Sequence, residues 1–166
     1  KHHCNLFICL VGGTSTGRKG TSWGRVKSIF ELVDSKWVIQ NIKGGLYSGE
    51  GLIHAVRNEK KKLNKKKTDY EIVDEGIFDK RLLALQTEFS SVLNLSKGES
   101  NIISNVLRDA WDGGVLTTLI KNKRDIATNP HISIIGHITP EELRNSISRS
   151  DLSNGFANRF LWIYVE

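Results

Sequence analysis

Residues 10–23 read LVGGTSTGRKGTSW, and this stretch decides the fold. An apolar run gives way to glycines, small hydroxyl residues and two adjacent cations, and apolar residues then recur at helical spacing from Val26 to Val33. A strand, a glycine-rich loop and a helix in that order suit a phosphate group, because glycine lets backbone N–H groups come close and a helix N-terminus favours an anion. The stretch therefore predicts a phosphate-binding loop.

The spacing of this loop departs from the pattern G-x-x-x-x-G-K-[ST]. Counting from the first loop glycine places Arg18 where the lysine belongs, and counting from the second places Lys19 there. In both registers the hydroxyl that binds Mg²⁺ must come from Thr21 or Ser22. We favour the second register, with Lys19 on the β- and γ-phosphates and Thr21 on the metal. The predicted nucleotide-binding residues are Gly13, Thr14, Ser15, Thr16, Gly17, Arg18, Lys19, Gly20, Thr21 and Ser22.

The composition predicts one domain with a substantial core, since 166 residues contain 39% hydrophobic side chains. The sequence has no apolar run near the roughly 18 residues that span a bilayer, so we expect a cytoplasmic protein without membrane contact. The chain lacks methionine and begins at Lys1. We therefore expect residues 1–166 to be one domain of a longer polypeptide.

The net charge of +6 permits a nucleic-acid partner, and much of the excess comes from residues 60–67, KKKLNKKK. A charge run of this kind is more often a solvated connection than a binding surface. We expect residues 60–67 to form a mobile lysine-rich loop.

Strand and helix patterns alternate along the rest of the chain. Further strands are expected at residues 37–42, 81–86, 131–136 and 160–165. Helices are expected after Ser48, over residues 100–111, and after Thr139 with Pro140 at the first helical position. This alternation predicts an α/β fold with a five-stranded, mostly parallel sheet and helices on both faces.

Polar residues follow two of the predicted strands. Glu88 comes after the strand at 81–86, and His137 and Thr139 follow the strand at 131–136. Ligands in parallel sheets bind at the carboxyl ends of the strands, so we expect these residues to meet the glycine loop at one edge.

Phosphoryl hydrolysis needs a metal and a group that orients the attacking water. Glu88 is the candidate for both roles, and Glu50 is the alternative base. Gln86 stands near the position where an acidic residue would help to hold Mg²⁺. His137 or Thr139 could sense the γ-phosphate, although a buried histidine in a core is the commoner case.

Arg159 lies in a glycine-containing loop directly before the last strand. In ring-forming ATPases an arginine at this place reaches the nucleotide of the neighbouring subunit. We expect Arg159 to act in this way, with a plain surface arginine as the alternative.

Six segments together resemble the P-loop ATPase region of phage- and plasmid-type primase–helicase proteins. They read GGTSTGRKGTSW, GLYSGEGLIHAVRNE, LLALQTEFSSVL, LRDAWDGG, HISIIGHITPEEL and GFANRFLW. The resemblance covers nearly the whole chain, and it implies ATP binding at Lys19 and Thr21, an acidic residue at Glu88 and a conformation-sensing strand end at His137. The implied cofactors are ATP and Mg²⁺. The family usually carries an acidic residue where this chain has Gln86.

Residues 115–128 have a β-hairpin pattern with a cationic tip formed by Lys121, Lys123 and Arg124. This hairpin resembles the pore-lining hairpin of certain hexameric AAA+ helicases, and its tip would contact the phosphates of a threaded single strand. The resemblance implies an AAA+-like core with an inserted hairpin, without the C-terminal lid that would follow residue 166. A RecA-like arrangement is the alternative.

The first functional hypothesis is an ATP-driven, ring-forming DNA helicase or translocase module of a mobile-element replication protein. It implies single-stranded DNA as a partner and self-association, with a hexamer expected. Two alternatives are a nucleotide-dependent switch or defence-associated ATPase that unwinds nothing, and a degenerate P-loop scaffold.

Overall fold

The computed structural model describes residues 5–13, 17–64, 68–98, 102–118 and 125–166. The helices in these ranges are α1 Lys19–Asn41, α2 Gly49–Ala55, α3 Phe89–Ser96, α4 Ile103–Asp112, α5 Pro140–Ser146 and α6 Arg149–Ser153. The strands are β1 Phe7–Val11, β2 Ile42–Gly44, β3 Lys60–Leu63, β4 Tyr70–Asp74, β5 Arg81–Gln86, β6 Leu116–Thr117, β7 Ile126–Ala127, β8 His131–Ile138 and β9 Phe160–Tyr164. A 3₁₀ turn, Ala157–Arg159, precedes β9.

Five strands form an all-parallel sheet in the order β2-β5-β8-β1-β9. The strand that carries the glycine loop, β1, lies between β8 and β9, with Phe7 paired to Ile134 on one side and to Phe160 on the other. The predicted α/β fold is confirmed, and the sheet is parallel throughout. All carboxyl ends therefore lie at one edge.

One face of the sheet carries the core. The alternation along β1 turns Phe7, Cys9 and Val11 to this face, and α3 and α4 pack against β8 there. Phe89 of α3 is fully buried and its ring contacts that of Phe160, with centroids 4.9 Å apart. The opposite face is less covered, because Leu161 of β9 keeps 54% of its surface exposed.

Helix α1 lies beside β2 and β5 and is longer than the sequence predicts. Its predicted apolar face is largely exposed to solvent, since Ile29 is 63% and Val33 is 78% exposed. The helix is kinked at Asp34, and its buried residues, Val38 and Asn41, both follow the kink. The part of α1 after the kink therefore anchors the helix to the sheet. Helices were expected to cover both faces of the sheet, and they cover the second face only in part.

Two local predictions are wrong. Residues 37–41 continue α1, and the strand expected at 37–42 is reduced to β2. Residues 60–63 are not loop but strand β3, which pairs with β4 in an antiparallel ribbon. In the ribbon, cross-strand hydrogen bonds to the β-favouring segment YEIVD outweigh the low strand propensity of lysine.

The predicted helix starts are confirmed at two places. Ser48 caps α2, its hydroxyl accepting the N–H of Gly51 at 3.0 Å. Thr139 and Glu142 form a reciprocal capping box at the start of α5. Helix α4 is also confirmed, and it ends where Gly113 adopts a left-handed φ of 72°.

The predicted hairpin at residues 115–128 is confirmed where the structure describes it, since β6 pairs antiparallel with β7. Its tip, with Lys121, Lys123 and Arg124, lies outside the described residues. None of the helices in the described part of the chain is both long and apolar enough to cross a bilayer.

Replacing Gly136 in β8 by alanine tests the packing of the covered face. A Cβ there would lie 2.7 Å from Cδ2 of the buried Phe89 and 3.1 Å from Sγ of Cys9. We expect Gly136→Ala to lower the free energy of unfolding in urea by about 1–3 kcal/mol, because this close-packed core has no room for the methyl group.

Gly24→Ala is the matched control, since a Cβ on this helical residue meets no described atom within 4 Å. We expect it to leave the free energy of unfolding unchanged or to raise it by up to about 1 kcal/mol. Equal effects of the two substitutions would contradict the packing described for β8.

Candidate functional site

A cleft of about 1040 Å³ lies at the carboxyl edge of the sheet. The glycine loop and the start of α1 form one wall, the segment after β5 forms a second, and the end of β8 with α5 forms the third. Lys19, Glu88, His137 and Thr139 all line this cleft, as the strand order requires. The structure thus brings the predicted residues together, while their chemical roles remain predictions.

The glycine loop is held between the neighbouring strands. The N–H of Gly12 donates to the carbonyl of Ile138 at 3.0 Å, and that of Gly17 donates to the carbonyl of Gly13 at 3.2 Å. A Cβ on Gly12 would lie 2.4 Å from the carbonyl oxygen of Val165, so only glycine fits there. Of the predicted loop residues, Thr14, Ser15 and Thr16 lie outside the described part of the chain.

Lys19 is the first residue of α1, and its side chain folds back over the loop. Its Nζ donates to the carbonyl oxygens of Gly12 at 2.5 Å and Gly13 at 3.1 Å. Arg18, before it, adopts a left-handed φ of 36°, which turns the chain from loop into helix. The ammonium group thus rests on uncharged carbonyls, and it forms no ion pair with a carboxylate among the described residues.

The two candidate hydroxyl groups differ in their bonding. Ser22 donates its hydroxyl to the carbonyl of Lys19 at 2.9 Å and does not line the cleft. Thr21 lines the cleft, and its hydroxyl makes no hydrogen bond to any residue that the structure describes. The geometry favours Thr21 as the hydroxyl available to a metal ion.

Glu88 occupies the N-cap position of α3, two residues after the end of β5. Its backbone carbonyl accepts the hydroxyl of Ser91 at 2.7 Å, but its carboxylate caps no N–H and has no ion pair within the described ranges. The side chain is exposed and lines the cleft. The carboxylate is therefore free to bind water or a metal ion.

Gln86 points away from the cleft. It shares the covered sheet face with Ala84, its Oε1 accepts the N–H of Leu46 at 3.1 Å, and its Nε2 donates to Ser91 at 3.1 Å. It is 7% exposed and ties β5 to the segments on either side. The next residue, Thr87, is the one that lines the cleft.

His137 is 4% exposed and lies opposite Leu10 on the less covered face of the sheet. Its buried Nε2 has no hydrogen-bond partner among the described residues. Burial lowers the pKa of the imidazole, and the positive charge of Lys19 lowers it further. The ring is therefore neutral near pH 7, with a nitrogen left unsatisfied beside the cleft.

Thr139 is less suited to sensing a ligand. Its hydroxyl donates to Oε2 of Glu142 at 2.9 Å and accepts the N–H of Glu142 at 3.2 Å. The N–H and hydroxyl of Thr139, with lesser contributions from Ser90 and Lys19, hold the pKa of Glu142 below its usual value. Both groups serve the capping box, which leaves His137 as the candidate at this strand end.

Arg159 lies at the opposite edge of the sheet from the glycine loop, because Phe160 pairs with Phe7 at the start of β1. Its Nη2 binds Oδ2 of Asp112 at 2.9 Å, and its guanidinium lies 5.5 Å from the ring centroid of Trp111. Within its own chain it therefore holds the segment before β9 to the end of α4.

Glu50, the alternative base, is exposed in the first turn of α2 and does not line the cleft. Arg144 of α5 does line it, and the sequence analysis did not identify this residue. Its place five residues after Thr139, on a helix that begins at the cleft, is the signal that could have identified it.

Magnesium fits this site only together with a phosphate ligand. The described residues contain no group of three or more His, Cys, Asp or Glu side chains that could hold a metal ion alone. Mg²⁺ commonly binds through one or two protein oxygens and substrate phosphates. Thr21 and Glu88 would supply the protein oxygens.

A second cleft, of about 1070 Å³, lies near the opposite edge of the sheet. It is lined by Trp37 of α1, by Phe78 and by the first residues of β5. Among the described residues that line it there is no glycine-rich loop, so the first cleft is the better phosphate site. Comparisons with protein-family models and with curated proteins found no match for this chain.

The titration of His137 tests its environment. Since its folded-state pKa lies below the ordinary value of 6.5, the unfolded chain takes up this proton first as the pH falls. This residue therefore contributes stability above pH 6.5 that is lost as the pH falls from about 6.5 towards the folded-state pKa.

We expect NMR titration of the His137 ring to give a pKa below 6.5 in the folded protein, and His137→Gln to reduce the loss of stability over this pH range. A ring pKa at or above 6.5 would contradict the buried, neutral imidazole.

Proposed function

We propose that this domain binds and hydrolyses ATP at the cleft beside the glycine loop. The observation that carries the proposal is the position of Lys19, which begins α1 and covers the loop in the same cleft as the free carboxylate of Glu88. A cation, a glycine-rich loop and a helix start at the end of a parallel strand suit a triphosphate. The unsatisfied nitrogen of His137 adds a polar group for a ligand.

Each group has a distinct role in this proposal. Lys19 neutralises charge on the β- and γ-phosphates, and the hydroxyl of Thr21 binds the Mg²⁺ that accompanies the nucleotide. Glu88 orients the attacking water, and His137 responds to the γ-phosphate. The metal supplies charge stabilisation for the phosphoryl group.

We further propose that the ATPase is a ring-forming DNA helicase or translocase of the primase–helicase type. The resemblance of six segments supports this, as does the position of the β6–β7 hairpin in the chain between Glu88 and the strand of His137. Arg159 would act on the neighbour's nucleotide only after leaving Asp112, since its guanidinium is engaged in this chain.

A nucleotide-dependent switch is the second candidate, and a specific observation favours it. Thr87 stands in the cleft where a second carboxylate would help to hold Mg²⁺, so Glu88 must serve both the metal and the water. ATP turnover would be slow, because one carboxylate would have to bind the metal and also orient the attacking water. A degenerate scaffold, which would bind no nucleotide, is the third.

Two substitutions test the ATP site. We expect Lys19→Ala to weaken ATP binding by about a hundredfold, because charged hydrogen bonds to the phosphates are lost. We expect Glu88→Gln to bind ATP and to lose turnover by about a hundredfold or more, because the amide cannot accept the proton of the attacking water. Nucleotide titration and phosphate release measure the two effects.

The controls are Lys27→Ala and Glu31→Gln, which change an exposed ion pair on α1 outside the cleft. Full turnover in the Glu88→Gln protein would overturn the role of Glu88, and unchanged ATP affinity in the Lys19→Ala protein would overturn the site itself.

Replacing Lys121, Lys123 and Arg124 together by glutamine tests the pore hairpin. We expect weaker binding to single-stranded DNA and a smaller dependence of affinity on salt, since each lost phosphate contact lowers the slope by about 0.7. Unchanged DNA affinity and an unchanged salt slope would show that the hairpin does not contact the DNA.

ATP turnover that is stimulated by DNA, in a ring of defined mass, supports a motor. ATP turnover that does not respond to DNA supports a switch.

A further inference from the structure

The first cleft contains an arginine to which the proposed ATP site gives no role. Arg144 lies in the last turn of α5 and lines the cleft on the wall that this helix forms with the end of β8. Its side chain is exposed, and its guanidinium forms no hydrogen bond or ion pair with any residue that the structure describes. The guanidinium is therefore available to an anion that enters the cleft.

The backbone that carries this arginine is held in place. Thr139 and Glu142 form the capping box at the start of α5, and the hydroxyl of Ser90 in α3 donates to Oε1 of Glu142 at 3.5 Å. Leu143, the neighbour of Arg144 in the sequence, packs against the hydrophobic core. The guanidinium thus extends into the cleft from a fixed position on the helix.

The strand order places this helix between the other two walls of the cleft. β8 lies between β1 and β5, and its Gly136 is paired with Cys9 on one side and with Gln86 on the other. The chain that leaves β8 therefore lies between the glycine loop and the segment after β5. A γ-phosphate between Lys19 and Glu88 would face the wall that carries the unpaired guanidinium.

The other arginines are less well placed for this phosphate. Arg18 directly precedes Lys19, so it approaches the triphosphate from the same wall as the lysine. Arg159 is bound to Asp112 and lies at the far edge of the sheet. Among the described cations that line the cleft, Arg144 is the one that extends from a different wall. It can therefore compensate phosphate charge that Lys19 does not contact.

Two carboxylates of α5 line the same wall, and neither is paired with Arg144. The carboxylate of Glu142 accepts the N–H of Thr139 at 3.0 Å and its hydroxyl at 2.9 Å. Glu141 lies three positions before Arg144, but the two side chains form no ion pair in the described part of the chain. A phosphate group can accept two parallel N–H bonds from the guanidinium, which makes it a strong partner for this arginine.

We propose that Arg144 binds the γ-phosphate of a nucleotide in its own chain and thereby makes the site distinguish a triphosphate from a diphosphate. This assignment rests on the proposed ATP site and deepens it, because it gives the specificity of that site to a named side chain. A nucleoside diphosphate retains the contacts with Lys19 and lacks the phosphate group that Arg144 binds.

The affinities of the full chain for ADP and for the non-hydrolysable β,γ-imido analogue of ATP, each with Mg²⁺, test this assignment by calorimetric titration. We expect Arg144→Ala to weaken binding of the analogue about tenfold and to leave the affinity for ADP unchanged, because only the triphosphate loses a charged hydrogen bond. Arg144→Lys retains the charge without the paired geometry, so we expect it to recover part of the lost affinity.

Arg149→Ala is the matched control, since this exposed arginine of α6 does not line the cleft. Thermal unfolding verifies that each variant is folded. A loss of affinity for the triphosphate alone, in Arg144→Ala and not in Arg149→Ala, supports the proposal.

Three other results would overturn it. Unchanged binding of the analogue by Arg144→Ala, or equal losses for both nucleotides, would overturn the role of Arg144 and leave the ATP site standing on the binding by the parent chain. A selective loss in Arg18→Ala but not in Arg144→Ala would give the role to Arg18 instead. No binding of either nucleotide by the parent chain would overturn the ATP site itself, and the role of Arg144 with it.

Discussion

The structure depends on the close approach of three strands around Gly12. Gly12 directly follows β1 and donates its N–H to the carbonyl at the end of β8. The backbone after β9 comes so close to Gly12 that a side chain at this position would not fit. Val165 in turn donates its N–H to the carbonyl of Val11 at 2.9 Å. The loop that follows Gly12 therefore starts from a fixed point between two parallel neighbours, and the cleft follows from that point.

Hydrogen bonding divides the polar groups of this edge into two sets. Ser22, Thr139 and Gln86 use their side chains to hold the local structure. Thr21, Glu88 and the Nε2 of His137 have no such partner among the described residues. A ligand with anionic oxygens and a metal ion would satisfy the second set, and Lys19 would supply the compensating charge. This division, more than the identity of any one residue, supports the proposal of a nucleotide site.

The sequence was most informative where local rules and tertiary structure agree. The apolar segment RLLALQ forms the strand predicted for it, and the capping residues Ser48 and Thr139 start their helices as expected. The strand order was not predictable from local patterns, and it is the order that brings Glu88 and His137 to the loop. Arg159 is separated from them by the direction of β9, because it directly precedes this parallel strand and the strand starts at the far edge of the sheet.

The errors have physical causes. Residues 37–41 alternate like a strand, but Val38 and Asn41 are buried as part of the kinked α1, and tertiary packing overrides the alternation. The lysine-rich sequence of β3 does not by itself favour a strand, so the pattern did not predict one. The strand forms because β3 pairs with β4 and because ion pairs at Asp74 and Asp125 hold the two ends of this segment in place. Only the structure shows that the Gln86 side chain turns away from the cleft, since this depends on register.

Backbone NMR with added ATP and Mg²⁺ tests whether the glycine loop and Lys19 form a triphosphate site. We expect saturable shifts at the amides of Gly12, Gly13, Gly17 and Lys19 and at the ring of His137, larger with Mg²⁺ than without it. Shifts confined to the second cleft around Trp37 and Phe78, or no saturable shift at all, would contradict it.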